Sequence, residues 1–88
     1  MASEFLENKR KKLIFRSGHR GTKEMDLIMG SFAQANVPDF SESEVEEYDL
    51  ILQLSDPDLY NWLTGKEEAP ANVAAMSVFQ KLLAHKLA

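Results

Sequence analysis

The chain has 88 residues, room for a single small domain (1–88) around one modest core, and its 44% hydrophobic and 27% charged content excludes a disordered tail. It contains no cysteine, which removes disulfide staples, thiolate nucleophiles and cysteine-based metal sites, and fits a reducing compartment. The formal net charge of −4 argues against a general nucleic-acid binder. The bases nevertheless crowd between Lys9 and Lys23 and the acids between Asp39 and Glu68, an asymmetry able to orient a protein on a partner.

No apolar run approaches the roughly 18 residues of a membrane span. The opening "MASEFLENKRKK" mixes acids with bases and lacks the apolar core of a secretory signal. The expectation is a cytoplasmic protein with no membrane insertion.

In chain order, the first helix is expected over Glu4 to Arg16, with Ser3 as its N-cap, acids first and bases last to suit the helix dipole. "SGHRG" then breaks it. A second helix is expected from Thr22 to Ala35, because Met25, Ile28, Met29 and Phe32 recur at the spacing of one buried face. Gly30 inside it weakens the helix and points to a neighbouring helix passing close by. Pro38 ends it. The third opens on Ser41 and Glu44, a capping box, and carries Val45, Tyr48, Ile51, Leu52 and Leu54 as its apolar stripe.

"SDPDLYNWLTG" reads as a two-turn helix with Asp56 as N-cap, Pro57 first inside and Gly65 closing it; Leu59, Trp62 and Leu63 share one side and Tyr60 faces away. The last helix is expected from Pro70 to the C-terminus on Val73, Met76, Phe79 and Leu83. No segment alternates with period two. The fold class is therefore all-α, about five short helices in an irregular bundle.

A search for catalytic groups finds little. His85 lies near the end of the last helix, where a cation suits the dipole; His19 has no second histidine nearby, so no metal site is expected. Glu24 and Asp26, two apart on a helix, point to nearly opposite sides and make no acid–base pair. Asp56 and Asp58 straddle a helix start, read as caps or as acceptors for a partner. No nucleotide-binding loop or nucleophile elbow is present. No catalytic residue is assigned.

The remaining feature is "HRGTKEMD", His19 to Asp26, dense in charge beside an apolar run. A local Arg20–Glu24 ion pair is worth only about 0.3–0.5 kcal/mol and does not account for that density. Gly21 permits a positive φ or the close approach of another backbone, which would set Arg20 and Glu24 beside a partner.

"RGTKEMD" carries an R-G-x-x-E motif with an acid two residues on, and "DPDLYNWLTG" follows about thirty positions later, after an acidic helix. This pair, over roughly Arg16 to Gly65, resembles the succinate dehydrogenase assembly factors that promote covalent flavin attachment. The resemblance implies a small five-helix protein that is not an enzyme and has no cofactor of its own. It would bind the flavoprotein subunit of succinate dehydrogenase and, in bacteria, that of fumarate reductase. It would help that partner join FAD to one of the partner's own histidines. Motif matching places Arg20, Gly21 and Glu24 at the centre of the contact patch, with Arg16, His19 and Asp26 beside it and Asp56, Asp58 and Tyr60 from the second motif. The lack of a transit peptide suggests a bacterial member. Two other readings stay open: a helical nucleic-acid binder using "NKRKKLIFR", and an antitoxin-like binder that neutralises another protein.

Overall fold

Short helices form where the caps and breakers permit them. The computed structural model describes residues 2–87, with side chains for residues 4–85. Its helices are α1 (Ala2–Ser17), α2 (Lys23–Asn36), α3 (Glu42–Leu52), α4 (Asp56–Leu63), α5 (Ala71–Ala74) and α6 (Ser77–Leu87), with a 3-10 turn at Val37–Asp39. No strand occurs among the described residues. The architecture is all-α, as the patterning implies. The Ser3 cap concerns a side chain outside the described residues; α1 already includes that position.

The Ser41–Glu44 start signal acts as read, and α2 has a cap that the sequence reading did not name. Thr22 accepts a hydrogen bond from the Met25 N–H at the head of α2. Ser41 and Glu44 form a reciprocal capping box at the head of α3. Gly65, at φ +81°, stops the chain after α4 in the left-handed conformation that suits glycine. At the head of α4 the expectation needs correcting. Ser55, not Asp56, is the N-cap, its hydroxyl accepting from the Asp58 N–H at 3.3 Å. Asp56 is thereby released for other work.

The segment read as one last helix is two. The one-turn α5 ends at Ala74, and α6 restarts where Glu47 of α3 accepts the Val78 N–H at 2.6 Å. A carboxylate there satisfies a free amide and suits the positive end of a helix. The break shifts the buried face by one position: Val78, Phe79 and Leu82 are buried, whereas Met76 and Leu83 are half-buried.

One core joins the helices. Met25, Met29 and Phe32 of α2 meet Val45, Tyr48 and Ile51 of α3, closed from below by Leu59, Leu63 and the α6 residues. Phe32 lies 5.5 Å from the Tyr48 ring and 6.1 Å from Phe40, tilted in both cases, a favourable aromatic geometry. Ile28 and Trp62, expected on buried faces, sit half-buried at its edge, Trp62 edge-on to Phe79. Gly30 meets the end of α1, as its position suggested: a Cβ there would lie 3.5 Å from the Gly18 Cα.

Polar ties fix α1 to α3. Asp49 receives Arg16 at 2.8 Å and Lys9 at 3.5 Å. Partial burial acts to raise its pKa, but Arg16 and Lys9 outweigh that and hold the carboxyl below its usual value. Deeper, the Tyr48 hydroxyl meets Ser17 Oγ at 2.6 Å, and Ser17 donates to the Leu13 carbonyl. With its own proton committed, Ser17 accepts from Tyr48.

Candidate functional site

The loop between α1 and α2 is short and polar, and its geometry comes from the joint between α3 and α4. Arg20 projects from it with its side chain only 11% exposed. Each of its three guanidinium nitrogens is engaged within the chain: Nε donates to Asp56 Oδ1 at 2.6 Å, Nη1 to the Leu52 carbonyl at 2.6 Å and Nη2 to the Leu54 carbonyl at 2.7 Å. The Leu52 carbonyl ends α3 and the Leu54 carbonyl lies two residues beyond it, where no further helical turn supplies amides to satisfy them. A planar fork suits the task; a lysine would reach one of the three. The local Arg20–Glu24 pair read from the sequence is not formed, since Arg20 pairs with Asp56 instead.

Asp56 serves the loop twice. Its second oxygen accepts the Gly21 N–H at 2.6 Å. A Cβ at Gly21 would stand 2.9 Å from that oxygen. The glycine is therefore needed for the approach of the chain's own carboxylate, and its φ is not positive. Asp26, near the start of α2, accepts the Arg20 N–H and closes the loop from the other side. Arg20, Gly21, Asp26 and Asp56 thus form one internally bonded clamp.

The other residues of the two motifs line its flanks. On one side a groove of about 590 Å³ runs between Phe15, Arg16, His19, Gly21 and Leu54. The His19 ring stacks on Phe15 with centroids 4.1 Å apart, and its Nδ1 lies 2.7 Å from the Phe15 carbonyl. On the other side a pocket of about 320 Å³ is lined by Thr22, Glu24, Met25, Pro57 and Tyr60. Glu24 and Asp58 are exposed and take part in no ion pair among the described residues. Tyr60, read as facing outward, is half-buried, and its ring carries Lys66 Nζ at 5.7 Å from the centroid. Of the expected patch, Arg16, His19, Arg20, Gly21, Glu24, Asp56 and Tyr60 line one or other of these two concavities and Asp26 bonds the loop between them, whereas Asp58 lines neither and Arg16 also reaches back to Asp49.

The sequence reading overlooked Ser55 and Phe15. The first had a signal, since Ser55 followed three residues later by Asp58 repeats the capping pattern. The second had none, because an aromatic residue inside a helix is as readily core as surface. His85, read as a dipole partner, sits 2.9 Å from Ser31 Oγ and edge-on to Phe32, pinning α6 to α2. Among the described residues no group of three or more His, Asp or Glu is placed to hold a metal ion, and no helix is long and apolar enough to cross a membrane.

The site is an internally bonded polar surface on a helical scaffold. The chain belongs to the family described as the flavinator of succinate dehydrogenase, whose family model matches residues 11–86. It is 46% identical over 65 residues to succinate dehydrogenase assembly factor 2, mitochondrial, of Dictyostelium discoideum, covering 74% of this chain and 46% of that protein. Against the Arabidopsis thaliana protein of the same name it is 39% identical, covering 86% of this chain and 42% of the relative. Against the FAD assembly factor SdhE of Acetobacter pasteurianus it is 36% identical over 74 residues, covering 84% and 68%. The chain thus spans under half the length of the two eukaryotic relatives.

Proposed function

We propose that this protein binds the flavoprotein subunit of succinate dehydrogenase and promotes covalent attachment of FAD to it. The observation that carries the reading is the family match over residues 11–86. The site supports it: the R-G-x-x-E loop is held in one shape by Asp56, leaving Glu24, His19, Arg16, Asp58 and the edge of Tyr60 to meet a partner. In this reading Arg20, Gly21, Asp26 and Asp56 contribute chiefly by fixing that shape.

The factor is not itself an enzyme and holds no FAD of its own. Covalent attachment needs the partner's histidine held against its flavin in a near-attack arrangement, and the bond-making chemistry belongs to the flavin and the partner. A rigid surface that stabilises the competent arrangement of the flavoprotein is sufficient. The fumarate reductase flavoprotein is a second partner within the same proposal. A cytoplasmic location is also part of it, in keeping with a bacterial relative among the matches.

Co-expression with the apo flavoprotein of succinate dehydrogenase tests this, with covalent flavin read by in-gel fluorescence. Gly21→Arg, which drives a side chain into Asp56, is expected to lower flavinylation at least tenfold. Glu24→Ala, at an exposed position, should lower it without lowering stability. If both variants match wild type, the patch assignment is wrong. The same assay with the fumarate reductase flavoprotein decides the second partner.

A further inference from the structure

Helix α1 is finished on one face and unfinished on the other. Its inner face packs Leu6, Leu13 and Ile14 onto the core. Its outer face presents Phe5, Asn8, Lys12 and Phe15 at the three-and-four spacing of a helical stripe, continued by His19 stacked on Phe15. Phe5 is 72% exposed and Phe15 64%. Single exposed apolar side chains are ordinary. Here two aromatic rings share one stripe, about 15 Å apart at the rise of an α-helix.

Each ring borders a concavity. Beside Phe5 lies a groove of about 320 Å³ that also touches Lys9, Lys12 and Arg16. Beside Phe15 lies the groove of about 590 Å³ that flanks the clamp. Arg16 lines both, so the two adjoin along the helix. Charge follows the same track. Lys9 and Arg16 are committed to Asp49, whereas Lys11 and Lys12 are exposed and take part in no ion pair among the described residues.

We propose that this face of α1 docks an acidic amphipathic helix of a partner protein, its apolar side chains seated in the grooves beside Phe5 and Phe15 and its carboxylates against Lys11 and Lys12. Lysines on an apolar, grooved helix face match such a ligand in shape and charge. An anionic bilayer fits less well. It has no side chains to fill the grooves beside Phe5 and Phe15. A helix seated here ends at His19, directly against the Arg20–Gly21 loop. The inference rests on the assembly-factor reading only for which protein supplies the helix; the surface stands on its own observations.

The test measures binding of the purified full chain to the apo flavoprotein subunit of succinate dehydrogenase by biolayer interferometry, at low and high salt. Phe5→Ala/Phe15→Ala should weaken binding about tenfold or more, with an unchanged melting temperature because both rings are exposed. Lys11→Glu/Lys12→Glu should remove most of the salt dependence. Wild-type affinity in the double alanine variant overturns the proposal. If the wild type does not bind the flavoprotein at all, the proposed function fails, and a synthetic helical peptide with Leu on one face and Glu on the other decides the surface. Binding of that peptide over its Glu→Lys twin, lost in Phe5→Ala/Phe15→Ala, sustains the proposal. Equal binding of the twins, or no binding, overturns it. Preference for phosphatidylglycerol vesicles over the acidic peptide overturns it in favour of a membrane surface.

Discussion

Arg20 has two partners that are usually considered separately: a carboxylate and the exposed end of a helix. Removing it deprives Asp56 of its countercharge and leaves the Leu52 and Leu54 carbonyls without their donor. Hydrogen bonds to charged groups are worth about 1.5–3 kcal/mol each, and their loss is partly offset where water can enter. Arg20→Ala is therefore expected to lower stability by about 2–3 kcal/mol in urea unfolding, and Arg20→Lys to recover only part of it. A loss near zero would show that the clamp is incidental. Gly21 belongs to the same arrangement, because the space its side chain would need is occupied by Asp56 Oδ2.

Helix α3 is tied to α1 by a hydroxyl pair, and that pair makes stability depend on alkaline pH. A tyrosine ordinarily ionises near pH 10, and burial pushes Tyr48 up to about 12 despite the opposing Ser17 hydrogen bond and the Arg20 and Arg16 charges. The folded chain thus keeps this proton where the unfolded chain loses it. The stability so contributed is complete below pH 10 and is lost as pH rises towards about 12. Tyr48→Phe is expected to cost about 1 kcal/mol at neutral pH and to flatten this alkaline limb. Denaturant unfolding across the range checks both; an equally steep limb in the variant would place the effect elsewhere. The same helices show what the sequence made legible. The cap at Ser41 could be read because a cap and its amide lie three residues apart. So could the apolar stripes, which repeat within one helix. The Ser55 cap was misassigned because its neighbour Asp56 is an equally good capping residue. The break before α6 depends on Glu47, some thirty residues upstream, and nothing local announces it.

At the scale of the whole molecule, the candidate site joins segments that the sequence keeps apart. Most of the residues that motif matching named line the two concavities beside the clamp, but their division of labour was not readable. Arg20 and Asp56 are 36 positions apart, and an internal clamp and a pair of free contacts look identical in a linear chain. The uneven charge was visible from the start; only the fold shows that Lys9 and Arg16 spend theirs on Asp49 while Lys11 and Lys12 do not.

The clamp also sets a timescale for the loop. An exposed glycine between two helices would ordinarily exchange its amide hydrogen with solvent deuterium almost as fast as a free peptide. Here the Gly21 N–H points at a carboxylate anchored beside the α3–α4 joint, so exchange must wait until that joint opens. Gly21 should therefore show protection close to that of amides near the end of α3, and Asp56→Asn should release it selectively. Rapid exchange in the wild type would mean that the loop opens on its own. Slow exchange would make this exposed loop part of the same cooperative unit as the core.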